Sequence, residues 1–129
     1  TCFRHNMRAL LVLVAIGVFN SANSLQCNVC TGSTLSYCGD GESSRMGVIN
    51  CNETRSVNFH GDGYIGKPRA VCVTATYPAN FPKIVFRGCG TFSDQTDPCK
   101  YLEDTKLFEH CTWCTTDKCN DKPQPVDKI

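Results

Sequence analysis

The cysteines are the residues of this chain whose type and spacing could do chemistry. Eleven of the 129 residues are cysteine, and two pairs, Cys27-x2-Cys30 and Cys111-x2-Cys114, have a spacing found in zinc sites. The same sulfurs could instead form disulfide bonds, or one could act as a catalytic thiolate. The folding compartment decides between these chemistries, because disulfides form and persist in oxidising environments.

The N-terminal segment indicates that compartment. A basic start at Met7 and Arg8 is followed by an unbroken apolar run, Ala9–Phe19, and then by small residues. This order predicts a signal peptide over residues 7–24, and the run is about half the length that a membrane-spanning helix needs. A buried core helix is the alternative. Residues 1–6 are expected to be an untranslated leader.

Secretion makes disulfides the expected state of the thiols. Cys2 lies in the leader, so ten cysteines remain in the mature chain, an even number that fits a fully paired framework. A sulfur held in a structural disulfide offers no thiolate, which argues against both a zinc site and a catalytic cysteine. The density of cysteine replaces part of a hydrophobic core.

Charge and motifs point away from nucleic acid and from catalysis. The formal net charge is +1, with no basic block that would bind nucleic acid. His60 and His110 lack the context of a metal-dependent hydrolase, and the chain has neither a nucleophile elbow nor a glycine-rich phosphate loop. We therefore expect no enzyme activity, no cofactor and no metal.

The first third of the mature chain reads as one hairpin-like projection. A short strand over Leu25–Cys30 enters the first cysteine pair, and a bond from Cys30 to Cys38 could close a small loop. Residues 39–44 are turn-forming and polar, which predicts an exposed tip. Met46–Cys51 then returns as a second strand.

A long connection joins Cys51 to Cys72. Its glycines disfavour regular structure, so it is predicted to be a surface connection. Asn52 begins an N-glycosylation sequon, Asn52-Glu53-Thr54, and the secreted context favours its modification. An unmodified polar loop is the alternative.

The clearest hairpin lies in the middle of the chain. Apolar and polar residues alternate over Val71–Tyr77, which predicts a strand with one apolar face, and Lys83–Arg87 predicts its partner. The turn between them contains two prolines and Phe81, a large apolar residue at an exposed tip. Phe81 is a candidate partner contact. The alternative is that it packs back on its own finger, and cross-strand packing explains Arg87.

The last third predicts a short helix and a closing segment. Asp97 is a plausible N-cap with proline at the next position, so Cys99–Thr105 is expected to form one or two helical turns. Trp113 is expected to cover the disulfides as part of a small core. Residues 121–129 are polar and contain proline, which predicts an unstructured tail.

The cysteine pattern as a whole resembles a known superfamily. The ten-cysteine order, the Leu25-x-Cys27 entry and the closing Cys119-Asn120 are similar to the lymphocyte-antigen-six and urokinase-receptor superfamily, and most similar to invertebrate quiver (sleepless)-type members. The resemblance covers residues 25–120. It implies a small, disulfide-rich, mainly β protein with the three-finger fold of snake neurotoxins and five disulfides.

The resemblance also implies particular bonds, whereas spacing alone cannot choose among the pairings that ten cysteines allow. It implies that Asn120 joins strand ends by hydrogen bonds at the hub. Thr112 and Trp113 separate two cysteines that are adjacent in many members, and this departure affects the expected hub geometry. The implied disulfides are Cys27 with Cys72, Cys30 with Cys38, Cys51 with Cys89, Cys99 with Cys111, and Cys114 with Cys119.

The implied function is that of a non-enzymatic extracellular binding module. Such proteins modulate membrane receptors or ion channels, including potassium channels and nicotinic receptors, or help to assemble cell junctions. The expected location is the secretory pathway and then the outer face of the plasma membrane, through a glycosylphosphatidylinositol anchor. The sequence has no hydrophobic tail of the kind an anchor signal needs, so we hypothesise truncation before such a signal. A soluble, toxin-like or inhibitory secreted ligand is the alternative.

Overall fold

The computed structural model describes residues 24–52, 57–61, 65–78 and 80–127. The predicted leader and nearly all of the predicted signal peptide lie outside these residues. The described chain contains six strands, two short α-helices and a 3-10 turn at Ser43–Arg45. In chain order the strands and helices are β1 (Gln26–Ser33), α1 (Tyr37–Asp40), β2 (Gly47–Asn50), β3 (Val57–His60), β4 (Pro68–Tyr77), β5 (Ile84–Ser93), α2 (Pro98–Asp104) and β6 (Glu109–Cys114).

The strands form one sheet in the order β2-β1-β5-β4-β6, and β3 adds to β5 in parallel. All other neighbours run antiparallel. Three projections result: finger 1 is β1, α1 and β2; finger 2 is β4 and β5; finger 3 is α2 and β6. Finger 2 lies in the centre with the other fingers on either side. This arrangement confirms the expected three-finger, mainly β fold.

Finger 2 is longer than the sequence predicted. Its strands pair in unbroken register from Pro68 opposite Ser93 to Tyr77 opposite Ile84, so β5 continues well past Arg87. The expected surface connection is also partly wrong, because β3 pairs with β5 between Cys89 and Thr91. Glycine permits this crowding at Gly90, where a Cβ atom would lie 2.6 Å from the Phe92 ring.

Both faces of β4 are buried, whereas alternation predicted one apolar face. Val71, Val73 and Ala75 are fully buried on one face, and Thr74 and Thr76 are equally inaccessible on the other. The threonine face is covered by the disulfides and by the C-terminal segment. A central strand in a small domain can therefore bury hydroxyl side chains, provided that they find hydrogen-bond partners.

The apolar face of finger 2 carries the hydrophobic core. Phe59, Phe92 and Leu102 pack with the β4 valines, and Phe108 makes edge-to-face contact with Phe59 at 5.7 Å between ring centroids. Trp113, predicted to cover the disulfides, packs against this same cluster. The core thus joins finger 3 to finger 2.

The predicted helix in finger 3 is present as α2. The Asp97 side chain accepts hydrogen bonds from the backbone N–H groups of Cys99 and Lys100, at 3.0 and 3.2 Å. Pro98 occupies the first turn, where its missing N–H costs nothing. Leu102 anchors the helix in the core.

Candidate interaction surface

The disulfides define a hub at one end of the sheet. The structure contains the same five pairs that the resemblance implied. Cys27–Cys72 and Cys51–Cys89 pack together beside Cys114–Cys119, which fixes the bases of the three fingers to one another. The other two bonds brace single fingers, with Cys30–Cys38 in finger 1 and Cys99–Cys111 in finger 3.

Asn120 links fingers 1 and 2 at the hub. Its Oδ1 accepts from the backbone N–H of Asn28, and its Nδ2 donates to the Asn28 carbonyl, both at 2.9 Å. The same Nδ2 also donates to the carbonyl of Val73 at 3.4 Å. Asn120 is 4% exposed, so these contacts replace hydrogen bonds that water would otherwise supply.

A buried arginine forms a second polar centre above the hub. Arg87 is 1% exposed, and its Nε donates to the Cys38 carbonyl at 2.8 Å. Its Nη1 donates to the Asn120 carbonyl and to Thr74 Oγ1, at 2.9 and 3.0 Å. Its Nη2 donates to the Lys122 carbonyl at 2.7 Å and, more weakly, to the Gly39 carbonyl at 3.4 Å.

All five guanidinium N–H groups of Arg87 therefore have acceptors. Burial lowers the pKa of Arg87 from its ordinary value, and the nearby Asp121 charge opposes this shift. Arginine starts from so high a pKa that it stays charged at neutral pH. The sequence analysis assigned Arg87 to cross-strand packing and missed this role, because its acceptors are backbone carbonyls that no side-chain pattern reveals.

The segment after Asn120 differs from the predicted unstructured tail. Residues 121–127, here called the C-terminal strap, have no helix or strand, but they pack on the threonine face of finger 2. The Gln124 N–H donates to the Gly39 carbonyl at 2.9 Å, and the Gln124 side chain lies 3.4 Å from Thr76 Oγ1. Gln124 is 7% exposed. A Cβ on Gly41 would lie 2.2 Å from the Asp121 carbonyl oxygen, so glycine is needed at this contact.

The strap ends beside an ion-pair group. The Lys83 ammonium contacts the carboxylates of both Glu109 in β6 and Asp127 in the strap. The hydrogen bond to Asp127, followed by that to Glu109, raises the pKa of Lys83. The same Lys83 hydrogen bond lowers the pKa of Asp127. Lys83 thus ties finger 2 to finger 3 and to the strap.

Three side-chain groups in the described part of the chain have metal-ligating atoms close together. Two consist of disulfide-bonded cysteines, which offer no thiolate ligand. The third contains Glu109, His110 and Asp127, but Lys83 already contacts two of these carboxylates. These groups are accounted for by disulfides and by an ion pair.

The far end of the sheet brings the three finger tips together. Ser33 and Tyr77 both lie opposite Ile84, and Glu109 lies opposite Thr76. The fingers therefore end at nearly the same level. A backbone hydrogen bond from Thr34 N–H to the Lys83 carbonyl, at 2.9 Å, holds the tip of finger 1 against finger 2.

Each tip exposes a large apolar side chain. Leu35 on finger 1 is 58% exposed, Phe81 on finger 2 is 46% exposed and Leu107 on finger 3 is 55% exposed, and the exposed Tyr77 ring lies next to the finger 2 turn. We call these four side chains the finger-tip edge. Phe81, the predicted partner contact, is thus the central member of a larger apolar edge. Leu35 and Leu107 were missed because single leucines in loops give no sequence signal.

The predicted glycosylation site lies away from the finger tips. Asn52 follows β2 directly, in a turn at the hub end, and its side chain is exposed. The other two residues of the sequon lie outside the described residues. A glycan at Asn52 would leave the finger-tip edge uncovered.

Three fingers fixed at a disulfide hub and closed by a C-terminal asparagine are the architecture of a u-PAR/Ly-6-like domain. The model of the Quiver family u-PAR/Ly-6-like domain matches residues 25–120, and the chain therefore belongs to the Quiver family. No curated protein and no solved structure gives a significant match. Domains of this class are extracellular binding modules and are generally not enzymes. None of the helices in the described residues is long and apolar enough to span a membrane.

Proposed function

We propose that this domain modulates a membrane receptor or an ion channel, such as a potassium channel or a nicotinic receptor, by binding its extracellular surface through the finger-tip edge. The observation that carries the proposal is the separation of two ends. One end is cross-linked by disulfides, and the other presents one exposed apolar side chain on each finger. Tips that are already held in place lose little conformational entropy when they bind.

Phe81 is the proposed central contact. Its backbone is fixed in a short turn between Pro78 and Pro82, and the strands on both sides are paired to their ends. An aromatic side chain held at a fixed tip has the properties of a binding hot spot, because it can bury a large area at low entropic cost.

We further propose that the chain is secreted, glycosylated at Asn52 and held at the outer cell surface by a glycosylphosphatidylinositol anchor in its full-length form. Glycosylation is supported by the exposure of Asn52 at the hub end. Treatment of expressing cells with a phosphatidylinositol-specific phospholipase tests the anchor, which predicts release of the protein into the medium. A protein that is released without treatment is the soluble ligand instead.

Partner binding is tested after proximity labelling on the cells that make the protein has identified the membrane protein beside it. Replacing Phe81 by alanine should weaken binding to that protein by about tenfold or more, while secretion stays unchanged. Ile65→Ala is the matched control, because Ile65 is 74% exposed near the opposite end of finger 2. Unchanged binding of Phe81→Ala refutes the contact, and lost secretion assigns Phe81 to packing.

A further inference from the structure

The C-terminal strap has a direction. It begins at the hub, where Asp121 lies against Gly41 and the Lys122 carbonyl accepts from Arg87. It passes Thr76 at Gln124 and reaches Lys83 at Asp127. Five strand residues separate Cys72 in the hub from Tyr77 at the edge, or about 17 Å. The strap therefore carries the chain from the hub to the finger tips.

We propose that the finger-tip edge faces the lipid bilayer, with Leu35 and Leu107 contacting lipid on either side of Phe81. This inference rests on the proposed membrane attachment, and it adds the orientation of the domain. An attachment that follows the strap by a short segment is held beside Lys83, at the level of the finger tips. The bilayer surface then lies against the edge that carries the exposed apolar side chains.

The chemistry of the edge fits a bilayer surface. Leu35 and Leu107 are each more than half exposed, and they sit on different fingers, so no single internal contact can cover both. Tyr77 combines an apolar ring with a hydroxyl group, as do side chains concentrated at membrane interfaces. The exposed Lys106 precedes Leu107, which places an ammonium where lipid phosphates would lie.

The hub end has a different surface. The loop between the last two hub cysteines exposes Thr115, Thr116, Asp117 and Lys118, and Asn52 with its sequon lies at the same end. A polar loop and a glycan are suited to water and unsuited to lipid contact. The two ends of the domain are therefore distinct in polarity, and the strap leads to the apolar one.

This orientation specifies what Phe81 can reach. Because Phe81 lies on the central finger between the two lipid-facing leucines, its partner surface must lie close to the bilayer. The partner is then a membrane-embedded protein contacted next to its transmembrane segments. A large ectodomain that rises far above the membrane would be out of reach.

The orientation is tested with the full chain, produced by secretion, carrying a hexahistidine tag after Ile129. The protein is bound to nanodiscs of phosphatidylcholine, a nickel-chelating lipid and a lipid with a nitroxide headgroup, and amide signals are recorded by NMR. Amides of residues 34–35 and 106–107 should lose intensity, while those of residues 115–118 should keep it. Stronger loss at residues 115–118, or equal loss at both ends, overturns the proposal.

A variant arm separates lipid contact from partner contact. The double variant Leu35→Ser/Leu107→Ser should bind the same nanodiscs about tenfold more weakly, because two apolar contacts are lost. Ile65→Ser is the matched control and should bind like the unchanged protein. A double variant that binds nanodiscs normally overturns lipid contact, and if it also loses the membrane partner, the edge docks a protein instead.

Failure of this test is distinguishable from failure of the proposed function. The nanodisc measurements need neither the natural anchor nor the partner, because the tag supplies the attachment. A protein that orients as expected but resists phospholipase release, or whose Phe81→Ala variant binds its partner normally, refutes the proposed function and leaves the orientation standing.

Discussion

Replacing Arg87 by methionine should destabilise the domain more than any other single arginine change in its described part. Methionine fills most of the volume but donates no hydrogen bond, so the carbonyls of Cys38, Asn120 and Lys122 lose short contacts of 2.7–2.9 Å. A buried acceptor left unpaired costs about 1–3 kcal/mol.

The full sum of these costs will not be observed. Removing the guanidinium also removes the cost of burying its charge, and water can reach the Lys122 carbonyl once the strap lifts. Breaking a buried charged network by deleting one partner typically costs about 3–5 kcal/mol, and we expect a loss of unfolding free energy in that range. Arg87→Lys should lie between, since an ammonium cannot reproduce the planar fork.

The assay is urea unfolding of the oxidised protein, combined with amide hydrogen exchange. The Gln124 N–H, bonded to the Gly39 carbonyl, should exchange faster than the β4 amides in Arg87→Met, because the strap loses its main anchor first. Arg45→Met is the control: its side chain is 64% exposed and lies 3.7 Å from Glu42, so its loss should stay below about 1 kcal/mol. A loss below about 1 kcal/mol for Arg87→Met refutes the reasoning.

Three further predictions concern the hub and the strap. Asn120→Asp keeps the acceptor for Asn28 N–H but turns a carboxylate toward the carbonyl of Asn28, and it should cost about 2–4 kcal/mol in urea unfolding; an effect below about 0.5 kcal/mol would remove Asn120 from the hub. Replacing the Cys27–Cys72 pair by alanines should cost about 2 kcal/mol more than replacing Cys114–Cys119, because the bonds join residues 45 and 5 apart; equal losses in the same assay would contradict the loop-entropy account. Because Asp127 has a lowered pKa and Lys83 a raised one, their contact should persist between about pH 4 and 10 and weaken as Asp127 protonates below its depressed pKa or Lys83 deprotonates above its raised pKa; an NMR titration in which strap signals do not change at either limit, or in which Asp127→Asn retains the acid step, would exclude the ion pair.

The architecture could be predicted because cysteines report it directly. Their order near Leu25 and Asn120 identified the class, and the N-cap at Asp97 located α2. Alternation found β4 but misjudged its second face, since Thr74 and Thr76 are buried by groups distant in sequence. The pattern around a strand shows which side chains are apolar, and it does not show what will cover the polar ones.

The strap and the finger-tip edge could not be predicted for a related reason. Arg87 binds carbonyl oxygens, which every residue possesses, so nothing in the composition of residues 121–127 distinguishes a packed segment from a disordered one. Leu35 and Leu107 become one surface with Phe81 only because the strand register brings three loops to the same level. Such proximity arises from long-range pairing, and local sequence does not contain it.

The parallel pairing of β3 has a consequence for how the domain behaves when crowded. One edge of β5 is covered by β1 along residues 84–87 and by β3 along residues 89–91, so this long central strand offers no continuous row of free N–H and C=O groups. In the described part of the chain the sheet ends at β2 and β6, of four and six residues. Short outer strands give a neighbouring molecule little backbone to pair with. Copies of the domain concentrated on a cell surface should therefore stay separate and resist strand-to-strand aggregation.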